Sequence, residues 1–241
     1  MKILSIGNSF SQDAHRYIHD IAKGEGVNIK CVNLYIGGCS LQTHYVNMMG
    51  DVAEYAFEFN GEPTGMRISI KRALSLDNWD YITIQQSSPI GDEYETYTPY
   101  AEALAEYIRS FHPKAKLLVH QTWAYEEGSS RLLDMAGFST PREMLTATQA
   151  AYKKCADEIN ADGIIPAGEA MLRAVELGIG KIHRDTFHAS RGAGRYLLGL
   201  TWFKYLTGRD ITGNRFNYFD EPITEDERRI VIEAVNSAFG E

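Results

Sequence analysis

Three polar side chains, far apart in the chain, are of the types that nucleophilic acyl chemistry needs. Ser9 follows a short apolar run, Ile3-Leu4-Ser5-Ile6, and stands in the turn Gly7-Asn8-Ser9, before a helical pattern that begins after Phe10-Ser11. Gly, Asn and Ser also favour turns for purely conformational reasons, and Ser11 or Asp13 has the chemistry of a helix cap. Near the other end, Asp185 precedes His188 by three residues on a polar loop. A carboxylate at that spacing orients an imidazole and stabilises its protonated form. A histidine so held can take the proton of a serine hydroxyl. The strand, tight turn and helix predicted around Ser9 would hold that hydroxyl at the carboxyl end of a strand, where open α/β sheets place their ligands.

Bringing these groups together requires a sheet with its strand ends on one edge. After the first strand, Ala14, Tyr17, Ile18 and Ile21 keep helical spacing, and Gly24 and Gly26 close that helix. Further strands are predicted at Ile29 to Ile36, before Gly37-Gly38; at Tyr81 to Ile84, before Gln85-Gln86-Ser87-Ser88; at Leu117 to Val119, before His120-Gln121-Thr122-Trp123; and at Gly163 to Pro166. Thr98-Pro99 opens a helix with Ala101, Leu104, Ala105, Ile108 and Phe111 inside. Thr140-Pro141-Arg142-Glu143 is a capping box with proline at the first helical position. A short helix follows at Glu169 to Leu177, and the last strong one runs from a Ser190 cap to Gly208. Residues 54–70 alternate instead, with Tyr55, Phe57 and Phe59 before Asn60-Gly61 and Met66, Ile68 and Ile70 after it, so an inserted β-hairpin is expected there. An exposed hairpin can form a pocket wall, a contact in a homodimer or an edge extension of the sheet, and the first two are preferred. Strands alternating with helices predict an α/β fold, a three-layer α/β/α sandwich whose flavodoxin-like, doubly wound sheet has about five parallel strands.

Composition narrows the function classes. With 241 residues and 44% apolar content, positions 1–241 can bury one full core as a single domain. A net charge of −8, a pI near 5.4 and no Lys/Arg-rich run argue against nucleic-acid or anionic-membrane partners. No apolar run approaches the roughly 20 residues of a membrane span. Cys31, Cys39 and Cys155 are odd in number and lack CxxC spacing, so neither a disulfide framework nor a zinc knuckle is signalled. His15 and His19 have the i, i+4 spacing of helical metal ligands, but no glutamate lies between them and no third ligand is evident, so a solvated helix face is expected and no metal. Cys39 has no base nearby and is read as a buried or site-lining thiol, while His183 is placed at a pocket mouth. With neither a P-loop nor GxGxxG, no cofactor is expected. Met1-Lys2 leads straight into the first strand, which implies a cytoplasmic protein if the chain is complete and an exported one if a leader has been removed.

Aligned strand ends would gather Ser9, Gly37-Gly38, Gln85-Gln86, Gln121 to Trp123 and Gly168-Glu169 on one edge. In that arrangement the chain, from Ile3 to about Leu206, resembles the SGNH or GDSL-type hydrolases. Gly7-Asn8-Ser9-Phe10 stands where that family has Gly-Asp-Ser-Leu, Gly38 or Gly37 matches the second-block glycine, and Asp185 and His188 match the closing Asp-x-x-His. The usual Gly-x-Asn of the third block is absent, and Gln85-Gln86-Ser87 takes its place. The resemblance implies a serine esterase in which Ser9 attacks, His188 is the base and Asp185 fixes its tautomer. The backbone N–H groups of Ser9 and Gly38, with an amide from Gln85 or Gln86, would bind the oxyanion. The glutamine substitution is similar to the branch holding carbohydrate acetylesterases, which implies an acetyl ester of a small molecule or carbohydrate. Trp123, Tyr125, Tyr94 and Tyr97 lie on loops that would offer aromatic faces to a sugar, or simply pack those loops. A lipid or thioester acyl hydrolase of the same mechanism, or a non-catalytic carbohydrate-binding or scaffolding module, are the competing readings.

Overall fold

Apolar side chains alternate across β1 (Lys2–Gly7): Ile3 enters the core on one face of a sheet, and Leu4 and Ile6 enter the core on the other. Burial on both faces is what a central strand needs. The computed structural model describes residues 1–240. Among them seven strands form one sheet: β1, β2 (Lys30–Tyr35), β3 (Tyr55–Phe59), β4 (Glu62–Ile68), β5 (Tyr81–Ile84), β6 (Lys116–His120) and β7 (Gly163–Ile165). Their spatial order is β4-β3-β2-β1-β5-β6-β7, with β2, β1, β5, β6 and β7 parallel and β3 and β4 added antiparallel. The parallel part has the doubly wound, flavodoxin-like order expected from the alternation of elements.

Helices cover both faces. One core packs α1 (Ser9–His15), α2 (Ile18–Gly24), α7 (Ala167–Glu176), α8 (Ala193–Thr207) and α9 (Glu225–Ala238) against the sheet. The other packs α3 (Leu41–Met49), α4 (Ile70–Leu74), α5 (Tyr100–Phe111) and most of α6 (Pro141–Glu158). α9 was not anticipated, although Thr224 and Glu227 form a reciprocal capping box at its start, with bonds of 3.1 and 2.7 Å. No helix among the described residues is long and apolar enough to cross a membrane.

The hairpin turns at Asn60-Gly61, both at positive φ (51° and 80°), as a two-residue turn between strands requires. β3 pairs with β2, so the hairpin extends the sheet edge. It also braces α1. Buried Glu58 accepts hydrogen bonds from Gln12 Nε2 and, at 2.7 Å, from Asn33 Nδ2. At the tip the backbones nearly touch, because a Cβ on Gly61 would lie 2.3 Å from the carbonyl oxygen of Arg16.

Two predictions follow from this packing. Gly61→Ala combines a strained φ with that clash and should destabilise the fold by about 1–3 kcal/mol, read from the urea midpoint. The second concerns His15, His44 and His120, whose pKa values burial lowers from 6.5 to about 3, with the neighbouring His15 adding to the effect on His120. Such groups take up protons in the unfolded chain first, so their share of stability is full above pH 6.5 and is lost as pH falls toward 3. Each adds a slope of about 1.4 kcal/mol per pH unit in that window. His44→Asn should therefore flatten the pH dependence of unfolding by about one such share.

Candidate active site

The turn after β1 is made by one side chain. Asn8 is extended and buried, and its Oδ1 accepts the Phe10 N–H at 3.0 Å, capping α1. The helix therefore begins at Ser9 itself, and neither Ser11 nor Asp13 is the cap, because both lie inside the first turns. Ser11 Oγ sits 2.9 Å from the Asn8 carbonyl, and Asp13 faces two arginines. As the first helical residue, Ser9 has an N–H with no intrahelical partner.

The loop before α8 closes over this turn. His188 Nε2 lies 2.8 Å from Ser9 Oγ, and His188 Nδ1 lies 2.8 Å from Asp185 Oδ2. Asp185 Oδ1 also accepts the backbone N–H of His188, at 2.9 Å. With Nδ1–H donated to Asp185, the Nε2 lone pair faces the serine hydroxyl, as a general base requires. Burial pushes the Asp185 carboxyl up, but hydrogen bonds from the His188 ring and backbone, with the charges of His188 and Arg184, outweigh it and hold the group below the usual carboxylate range. Trp123 Nε1 donates to the Phe187 carbonyl at 2.7 Å, and the Glu126 N–H donates to the Thr186 carbonyl at 2.8 Å. These two bonds pin a backbone that includes Thr186 at a φ of 73°.

Ser9 and His188 open onto a cleft of about 360 Å³ that is also lined by Gly37, Gly38, Ser87, Ser88, Phe187 and Arg184. The N–H groups of Ser9 and Gly38 make no hydrogen bond among the described residues, and Gly38 is held at a φ of 64°. The two glutamines are a correction. Gln85 donates its amide to Asn8 Oδ1 at 2.7 Å and accepts from His120 Nδ1 at 2.9 Å. Gln86 donates to the Thr96 carbonyl and hydroxyl and accepts from the Leu41 and Ser87 N–H groups. Both arms turn into buried polar surroundings, which leaves Ser87 and Ser88 facing the cleft in their place.

The aromatic expectations are corrected as well. Trp123 is 1% exposed and stacks on Phe10 with ring centroids 4.1 Å apart. Tyr125 is 2% exposed, with its hydroxyl 3.1 Å from Ser88 Oγ and its ring edge-on to Phe187. Tyr94 turns to α6, bonding Glu158 and Thr98, and Tyr97 is buried. None of the four lines the cleft; Trp123 and Tyr125 frame it from behind. His15 bonds Ser5, whereas His19 bonds the Ile29 carbonyl, so they do not converge, and no group of His, Cys, Asp and Glu among the described residues is arranged for a metal ion. Cys39 is buried 3.4 Å from His44 Nδ1, and burial pushes its thiol up to about 12. His183 is buried against the Ala124 carbonyl.

What sequence reasoning missed is Asn8. Besides capping α1, it accepts from Gln85 and donates Nδ2 to the Cys39 carbonyl at 3.1 Å, next to Gly38. The aspartate of the Gly-Asp-Ser-Leu block could make the two accepting contacts but would set an anionic oxygen against that carbonyl. Asn8→Asp should therefore destabilise the fold by about 1–3 kcal/mol in chemical denaturation. Equal stability of the two proteins would show that the loop accommodates the charge.

Among solved structures, a DUF4886 family protein from Bacteroides uniformis is 34% identical, with a TM-score of 0.90 over 99% of this chain and 94% of that one. A candidate SGNH hydrolase from Slackia heliotrinireducens is 19% identical, with a TM-score of 0.61 over 86% of this chain and 98% of that one. Axe2, an acetylxylan esterase from Geobacillus stearothermophilus, is 16% identical, with a TM-score of 0.53 over 86% and 94%. At such identities the last two share the fold, which is that of the SGNH hydrolases. No curated protein matches the sequence. One family matches residues 2–238, nearly the whole chain, and the protein belongs to it: DUF4886, described as a domain of unknown function.

Proposed function

We propose that the protein is a serine esterase that hydrolyses an acyl ester, foremost an acetyl ester of a carbohydrate. The observation that carries this reading is the pair of 2.8 Å contacts linking Ser9 to His188 and His188 to Asp185. His188 takes the Ser9 proton as Oγ attacks the ester carbonyl. The free N–H groups of Ser9 and Gly38 receive the oxyanion, and His188 returns the proton to the leaving alcohol. Water, activated by the same imidazole, then releases the acid. Each oxyanion donor in such a site contributes on the order of 2.7–4 kcal/mol to the transition state.

A short acyl group and a polar alcohol suit the lining. Gln12, Ser87, Ser88 and Arg184 line the cleft together with the aromatic rings of Phe10, Tyr35 and Phe187. The polar groups among these favour a polar alcohol over a lipid or long-chain thioester. Proteins of the same fold include an acetylxylan esterase and a GDSL-like lipase, and the polar side chains of this cleft favour the first.

Hydrolysis of 4-nitrophenyl acetate by the wild type, Ser9→Ala and His188→Ala tests the reading. Both substitutions should lower kcat by a factor of about 10³ or more with folding intact. A fluorophosphonate should label the wild type at Ser9, and octanoate should be cleaved more slowly than acetate. A wild type that neither outpaces its variants nor takes up the label would leave a binding module.

A further inference from the structure

Six charged side chains alternate in sign from the hairpin tip to the cleft. Glu62 pairs with Arg16, Arg16 with Asp220 at 2.6 Å, and Asp220 with Arg195 at 2.6 Å. Arg195 pairs with Asp13 at 2.9 Å, and Asp13 with Arg184 at 2.8 Å. The row as a whole is neutral, but its two ends differ. Its anionic end, Glu62, is 62% exposed to solvent, whereas its cationic end, Arg184, lines the cleft beside Ser9 and His188.

Arg184 is anchored through one nitrogen. Its Nη1 alone meets both oxygens of fully buried Asp13, at 2.8 and 2.9 Å, and the Ala189 carbonyl at 2.5 Å. Arg16 and Arg195 differ, since Arg16 spends Nε and both terminal nitrogens on acids, and Arg195 spends Nε and Nη1. Arg184 Nη2 has no hydrogen bond among the described residues, and the side chain keeps 21% of its surface. The nearest other carboxylate, Asp185, stays 4.0 Å from Nε because both its oxygens are turned to His188. A guanidinium fixed in advance by a buried acid gives up little freedom when its open edge meets a second carboxylate.

We propose that Arg184 is a substrate-recognition residue and that the ester cleaved here carries a carboxylate. This rests on the esterase reading above and names the class of substrate. The carboxylate docks on the Nη2 edge while the ester carbonyl lies at Ser9, so the substrate is drawn in by charge and oriented by its own acid group. The acid group can belong to the alcohol, as in an acetylated uronic acid, or to the acyl part, as in a hemisuccinate.

Two matched pairs separate those sources. Acetate release is compared for peracetylated glucuronic acid and its methyl ester, and ethanol release for monoethyl succinate and ethyl methyl succinate, whose alkoxide leaving groups are not expelled by the neighbouring carboxylate at neutral pH. In at least one pair the acid form should have a kcat/KM about tenfold higher or more, and in Arg184→Gln that ratio should fall to near one. Because the ratio is taken within each protein that still turns over, a partial loss of activity cancels; should Arg184→Gln not fold, Arg184→Lys and the calorimetry decide. Arg184→Lys, which keeps a charge for Asp13 but has no second donor edge, should lose the ratio too. Calorimetry on the wild type with glucuronate and succinate, against their methyl esters, reads the site without turnover. Equal rates within both pairs, or a preference that survives Arg184→Gln, would overturn the proposal. If no ester is cleaved at all, the esterase reading fails by itself, and the calorimetry alone decides the carboxylate site.

Discussion

One buried amide, the side chain of Asn8, ties together the ends of three parallel strands. It sits at the end of β1, accepts from Gln85 at the end of β5 and donates to the Cys39 carbonyl in the loop after β2. Ser9 and Gly38, the residues with free N–H groups, are each the immediate neighbour of an atom held in this network. Because the amide is buried, every bond is costly to lose: an orphaned donor or acceptor there costs about 1–3 kcal/mol. The same economy explains the glutamine. Gln85 passes the constraint on to His120, whose burial keeps it neutral and able to donate from Nδ1. Polar groups that would be liabilities one by one become rigid in combination.

Around this hub the site is held from two sides. The hairpin fixes α1 through Glu58 and the tip at Gly61, and thus fixes the helix that begins with the serine. The His188 loop is fixed from behind by Trp123 and Glu126, and Arg131 lies 3.9 Å over the Phe187 ring. Asp13 links the two sides, since it lies on α1 and holds arginines from the loop and from α8. The 2.8 Å contacts of Ser9, His188 and Asp185 therefore depend on residues such as Asp13, Glu58, Trp123 and Glu126 that do not line the cleft.

The parts of this arrangement legible in the sequence are those with a local signature. Ser9 announced itself by a strand, a turn and a helix, and Asp185 and His188 by their spacing and place before the last long helix. Strand ends were harder. Nothing in the letters Gln85-Gln86-Ser87-Ser88 says which side chains turn inward, and the longer polar arms found interior partners while the short hydroxyls kept the cleft. Trp123 and Tyr125 lie on loops, but those loops fold back onto Phe10 and Phe187. α4, at five residues, is too short for a helical period to register, whereas the start of α9 carried a readable cap. The charge row left no trace, because its members pair across separations of 25 to 204 residues.

Sequence separation has one more consequence. Ser9 and His188 are 179 positions apart, and β1, which precedes β5 by about 75 residues, must wait for it before it is flanked on both sides. The hydroxyl thus exists long before the imidazole that faces it. All seven strands precede residue 188 in the chain, so the contact can close only once every strand of the sheet has been made. A contact of such long sequence separation costs more loop-closure entropy than the neighbouring strand pairs on which it sits.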